Sequence, residues 1–359
     1  MLNLGGIFML QTYYNDIDQA LNRVDFSAIW PGYQKTSFAL YLEDQAIIDG
    51  KIRKRPEAFR GNTALFWEGR HIAIWNCREL ASKERLAASL AHEMFHACQL
   101  SAGETRFPRD LSLLSAPTDG STLAARCLEG QLLAHALRDP DPKDALTQFD
   151  ALRNQSRTAP WFSDLCRAET IEGLAVCAEL QVLAQLSPAD GQAALEALIQ
   201  RLSQLENTLP DLRRTAYDTG AAMALATRQA GLDLSHSFTD PKPLFFHLAR
   251  LLPQIPPPTI PEVPALAQRM KTREDGQRRQ IAAFLARMPH CRSGMFHIQG
   301  YDPMNQFILD GRLFCTHFLF LEGLGLIHGP CLLALDPKDP MQGTCLWYFS
   351  NGTIPAEYV

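Results

Sequence analysis

The run Leu90-Ala91-His92-Glu93-Met94-Phe95-His96-Ala97-Cys98-Gln99 constrains this chain more than any other stretch. It lies within Ser82 to Leu100, which reads as one uninterrupted helix. Ser82 can cap it, Lys83-Glu84-Arg85 opens it, and Leu86, Leu90, Met94 and the alanines give it an apolar face. At 3.6 residues per turn, His92 and His96 stand about 40° apart on one face, one turn above the other. Two neutral imidazoles so placed can grip one zinc ion at about 2.0–2.1 Å each. Glu93 is rotated about 100° from His92, so it points beside the metal, where a base can take a proton from a water held there. The competing reading is a buried helix whose histidines bond to backbone carbonyls while Glu93 sits in a salt bridge. Two histidines and a glutamate on a largely apolar helix are costly to bury without a charged partner, which favours the metal.

Two histidines leave a tetrahedral zinc short of a protein ligand, so a carboxylate must come from elsewhere. The stretch Arg167-Ala168-Glu169-Thr170-Ile171-Glu172-Gly173-Leu174-Ala175-Val176-Cys177-Ala178-Glu179 is the strongest source, and Glu129 in the segment Leu123 to Leu137 is another. His92-Glu93-Met94-Phe95-His96 followed by Glu172-Gly173-Leu174-Ala175 resembles the gluzincin type of metallopeptidase. In the aminopeptidase branch of that group, the third ligand is the glutamate of an Asn-Glu-Gly-Phe-Ala-type segment on a second helix. The resemblance implies that His92, His96 and Glu172 hold one Zn2+ per chain and that Glu93 is the general base, with Glu169 and Glu129 as rival ligands. A glycine after the ligand has a physical rationale, since two ligand helices must approach closely to share one ion. The chain departs from the pattern twice. Between His96 and Glu172 lie 75 residues, more than in the best-known gluzincins, and Val176 stands where thermolysin-like enzymes carry an Asp that supports a histidine. Glu179, seven residues after Glu172 and on nearly the same helix face, can give that support instead.

Hydrolysis by an activated water creates a tetrahedral oxyanion that needs an electrophile beside the metal. Tyr217, on the segment Leu212 to Ala230, is the leading candidate, against the plainer role of a core tyrosine. His236 is a weaker alternative, and His317 and His328 read as structural histidines of the tail.

Composition narrows the class. With 46% hydrophobic and 20% charged residues and a net charge of -5, the chain reads as an ordinary globular protein without the basic footprint of nucleic-acid binding. The apolar start Met1 to Leu10 lacks a basic stretch and a small-residue cleavage site, and no run reaches the roughly 18 apolar residues of a membrane span. Nine scattered cysteines without a Cys-x-x-Cys pair fit reduced thiols in a cytoplasmic protein.

The predicted fold class is α+β: a mainly helical, zincin-like metallopeptidase domain preceded by a small β-region, with a C-terminal β-rich module. Residues 1–81 form the mixed region, with a helix over Asn15 to Arg23, a strand at Phe38 to Leu42 and a hairpin Thr63–Trp67/His71–Trp75 turning at Gly69. Residues 82–252 form the catalytic domain, with helices at Leu123–Leu137, Asp144–Leu152, Asp164–Leu186, Pro188–Glu206 and Leu212–Ala230. Residues 253–264 are a proline-rich linker, and residues 265–359 a helix, Ala265 to Met288, plus the β-rich tail. The tail is expected near the metal site without forming it. The function expected is zinc-dependent hydrolysis, most readily by an intracellular peptidase acting on a peptide or protein. The other class is a non-catalytic binding protein on the same scaffold, which has no use for Glu93. Neither a membrane nor a nucleic-acid partner is expected, and oligomeric state and cleavage specificity are open.

Overall fold

The structure, a computed structural model, describes residues 4–78, 82–233 and 238–349. The chain opens with α1 (Leu4–Leu21) and the single turn α2 (Phe26–Ile29). Five short strands follow: β1 (Phe38–Tyr41), β2 (Gln45–Ile48), β3 (Lys51–Lys54), β4 (Thr63–Trp67) and β5 (Arg70–Asn76). They form one sheet in the order β3-β2-β1-β5-β4, in which β1 and β5 run parallel and every other pair is antiparallel. Alternation along the strands splits their side chains between two cores. Phe38, Leu40, Ile47 and Ala73 face the helices, while Tyr41, Ile48, Ile72 and Ile74 close over Phe59 on the far side. The expected hairpin is β4–β5, and β4 is left as the outer edge. The pair β2–β3 was not anticipated, because Asp49-Gly50 joins runs of only four residues.

The helix that carries the two histidines is α3 (Lys83–Ser101), with Ser82 Oγ accepting from the Arg85 amide as its cap. It runs through the centre of the molecule, with Leu86, Leu90, Met94 and Phe95 fully buried and the Tyr33 hydroxyl donating to the Ala91 carbonyl at 2.6 Å. Then come α4 (Asp110–Leu114), α5 (Gly120–Arg138), α6 (Lys143–Arg153) and α7 (Phe162–Ala168). The expected long helix over Asp164–Leu186 is present but contains a wide turn. A wide π turn, Glu169–Gly173, separates α7 from α8 (Leu174–Leu186). The bundle continues through α9 (Pro188–Ser203), α10 (Leu212–Gln229) and α11 (Leu244–Leu251).

Beyond the prolines of 253–261, α12 (Pro264–Ala286) leads into the tail. Its seven strands are β6 (His290–Tyr301), β7 (Gln306–Leu309), β8 (Arg312–Cys315), β9 (Phe318–Leu321), β10 (Gly325–His328), β11 (Cys331–Asp336) and β12 (Asp339–Tyr348), in the sheet order β10-β9-β6-β12-β11-β8-β7. This module does not hang free. Leu111 of α4 enters its core beside Phe296, Ile298 and Leu346, and Phe284 of α12 packs against Phe314 on its other face. Among the described residues, no helix is long and apolar enough to cross a membrane.

Candidate metal centre

The two imidazoles of α3 meet the carboxylate of the π turn. His92 Nε2 and His96 Nε2 lie 3.2 Å apart, and Glu172 Oε2 is 3.2 Å from His96 Nε2 and 3.7 Å from His92 Nε2. Donors about 2.1 Å from one ion at tetrahedral angles sit about 3.4 Å from each other, so this trio fits a four-coordinate zinc with one position left over. These three side chains form a cluster able to hold a metal ion.

The rival carboxylates are committed elsewhere. Arg153, fully buried, donates to Glu129 and Glu169 at 2.6 Å each, and Arg126 pairs with Glu129. Glu169 also accepts from the Thr219 hydroxyl at 2.6 Å. The π turn has a part in this. Three residues apart on a regular helix, Glu169 and Glu172 would share a face; the wider turn sends Glu169 into the ionic cluster and Glu172 towards the histidines.

Each of the three side chains is held from behind. Glu179 Oε2 lies 3.3 Å from His92 Nδ1, while its Oε1 accepts from the Ser89 hydroxyl at 2.9 Å. Gln99 Oε1 lies 2.8 Å from His96 Nδ1, which leaves Nε2 of that ring free to ligate. Glu172 uses Oε2 towards the histidines, while its Oε1 accepts from Arg213 Nη2 at 2.6 Å. Arg213, buried on α10, also lies 3.4 Å from Asp110 and over the Tyr217 ring.

Electrostatics follow from this crowding. Burial opposes the charged form of His92, yet the neighbouring Glu172 and Glu179 carboxylates outweigh it and lift the pKa to about 10. Burial also works against the Glu172 anion, but His96 and His92 hold its carboxyl well below the usual range. Glu93 is pushed up by burial, with the two histidines acting against the shift. The Tyr217 hydroxyl is pushed up by burial and by the Glu172 charge, and its ring lies parallel to that of His92 with centroids 6.3 Å apart.

These groups open onto a cleft of about 820 Å³. Glu93, Tyr217, Arg213 and Asp110 line it with the three ligands, and β4 contributes Thr63 and Ala64. The tail supplies Asp302, Pro303 and Phe318 to the wall, a closer engagement than mere proximity. None of its histidines is in the cluster: His317 is bonded to Asp302 at 2.7 Å, and His328 is exposed. His236 lies outside the described residues. Comparison with protein families, with curated proteins and with solved structures finds no match.

The sequence thus brings His92, Glu93, His96, Glu172 and Tyr217 to one cleft, and Glu179 behind it. Arg213, Asp110, Gln99 and Ser89 escaped it. Only Gln99, three residues after His96 on the same helix face, had a positional signal.

Proposed function

We propose that the chain is a zinc-dependent hydrolase, a metallopeptidase of the His-Glu-x-x-His, gluzincin-like type that cleaves peptide bonds through an activated water. The observation that carries this reading is the tetrahedral spacing of three donor atoms, His92 Nε2, His96 Nε2 and Glu172 Oε2, in one cleft with Glu93. Zinc, when bound there, supplies the Lewis acidity that lowers the pKa of water and polarises a carbonyl. The remaining work belongs to the chain. Glu93, its pKa raised by burial, takes the proton from the attacking water and returns it to the leaving amine. The Tyr217 hydroxyl, kept protonated, donates to the oxygen that gains charge. Arg213 and Glu179 hold Glu172 and His92 in place. The outer edge of β4, whose Thr63 and Ala64 reach the cleft, offers backbone groups to an extended peptide, and a peptide so bound needs no particular sequence. Metal analysis tests the assignment. The purified protein should hold one zinc per chain, and His92→Ala or His96→Ala should lose it; full zinc in both variants would overturn the reading.

A further inference from the structure

A second reactive arrangement lies on the tail sheet, away from the metal cleft. In the pairing of β6 with β12, Cys291 stands opposite Trp347 and Cys345 opposite Ser293. The two cysteines are therefore diagonal neighbours on one face of the sheet. Their sulfurs are 3.2 Å apart, about 1 Å more than a disulfide bond. Cys291 is exposed and Cys345 half-buried. A register shift between Gly343 and Cys345 bends β12 and locally disrupts its ladder beside the pair. The same sheet carries a contrasting pair. Cys315 and Cys331 stand directly opposite each other on β8 and β11, but both are buried.

We propose that Cys291 and Cys345 form a dithiol site whose co-substrate is a low-molecular-weight disulfide. The Cys291 thiolate attacks one sulfur of the small disulfide, giving a mixed disulfide and expelling one small thiol, which takes up the proton. The Cys345 thiolate then attacks the Cys291 sulfur, closes the Cys291–Cys345 bond and expels the second small thiol. The protein loses two hydrogens and two electrons, and the small disulfide gains both. Exposure sets the order, since Cys291 is the more open of the two to an incoming molecule. The product ties the start of β6 to β12, and β6 is the strand that runs on into Asp302 and Pro303 of the cleft wall.

The test is to incubate the folded full-length protein with oxidised glutathione, block remaining thiols, and map the cysteines by mass. The expected product is a Cys291–Cys345 linked peptide lacking two hydrogens, with Cys315 and Cys331 still alkylated. Cys345→Ser should trap a stable glutathione adduct on Cys291, and Cys291→Ser should yield neither product. Thiols that all stay free, a lasting adduct on Cys291 with Cys345 intact, or prior oxidation of the buried pair would each overturn the proposal.

Discussion

On the proposed reading, zinc competes with a proton for His92, and this gives the site a pH signature. Its pKa is about 10 against an ordinary 6.5. A raised folded-state value means that the contribution to stability is complete below about 6.5 and is lost as pH rises through about 10. Glu172 acts in the opposite sense: its depressed value stabilises the chain above about 4.5, and that contribution is lost as pH falls through the lowered pKa. Metal binding releases the His92 proton, so affinity grows over the range in which the metal-free protein weakens. Thermal melts from about pH 6.5 to about 10 should therefore show the metal-free Tm falling and the zinc-induced rise in Tm widening. A metal-free Tm that is flat or rising, or the same trend in His92→Gln, would contradict this. At this scale the histidines and Glu93 were legible because one helix turn fixes their geometry in the sequence itself. Arg213 was not. It stands 41 residues after the carboxylate it holds, and an arginine near the start of a helix is as often solvated.

Among the elements, the π turn and α10 decide whether the ligands meet. Gly173 and Gly220 lie face to face: a Cβ on Gly173 would strike the Gly220 backbone, and one on Gly220 would strike the Glu169 carbonyl. This contact brings Glu172 within reach of Arg213 and Tyr217. Gly173→Ala should destabilise the protein by about 1–3 kcal/mol or more, because both obstructing groups are backbone. Denaturant unfolding measures it, and a loss within a few tenths of a kcal/mol would show that the helices are not so tightly apposed. The Gly after Glu172 was readable as a device for close approach, but its partner glycine was not, since nothing in Thr219-Gly220-Ala221 marks a contact with a helix 47 residues away. The π turn within Asp164–Leu186 was equally hidden. The apolar periodicity passes through it, and the partners that Glu169 meets there, Arg153 and Thr219, lie far from it in sequence.

Across the whole molecule, the cleft is assembled from five stretches distant in sequence: the edge strand β4 with the residues before it, the helices α3 and α4, the π turn, α10, and the tail. The prolines of 253–261 read as a linker ahead of a helix and a β-rich tail, and α12 and then the strands from His290 follow them. They could not show how the tail docks, because the docking element is the five-residue helix α4, too short to carry a periodic signal. Leu111 of that helix is 1% exposed within the tail's core. Leu111→Ala should cost about 2–5 kcal/mol in denaturant unfolding, and a negligible loss would mean that the tail and the helices do not share a core there.

Glu93→Gln tests most directly whether Glu93 moves a proton at a metal held by its neighbours. The amide keeps the size of the side chain and a hydrogen bond to water but cannot accept the proton. Peptide hydrolysis and zinc content should be measured on the same preparations of wild type and variant. The expected result is unchanged zinc with turnover lower by about 10²–10⁴-fold. A variant that holds its zinc and hydrolyses peptides as fast as the wild type would contradict the mechanism.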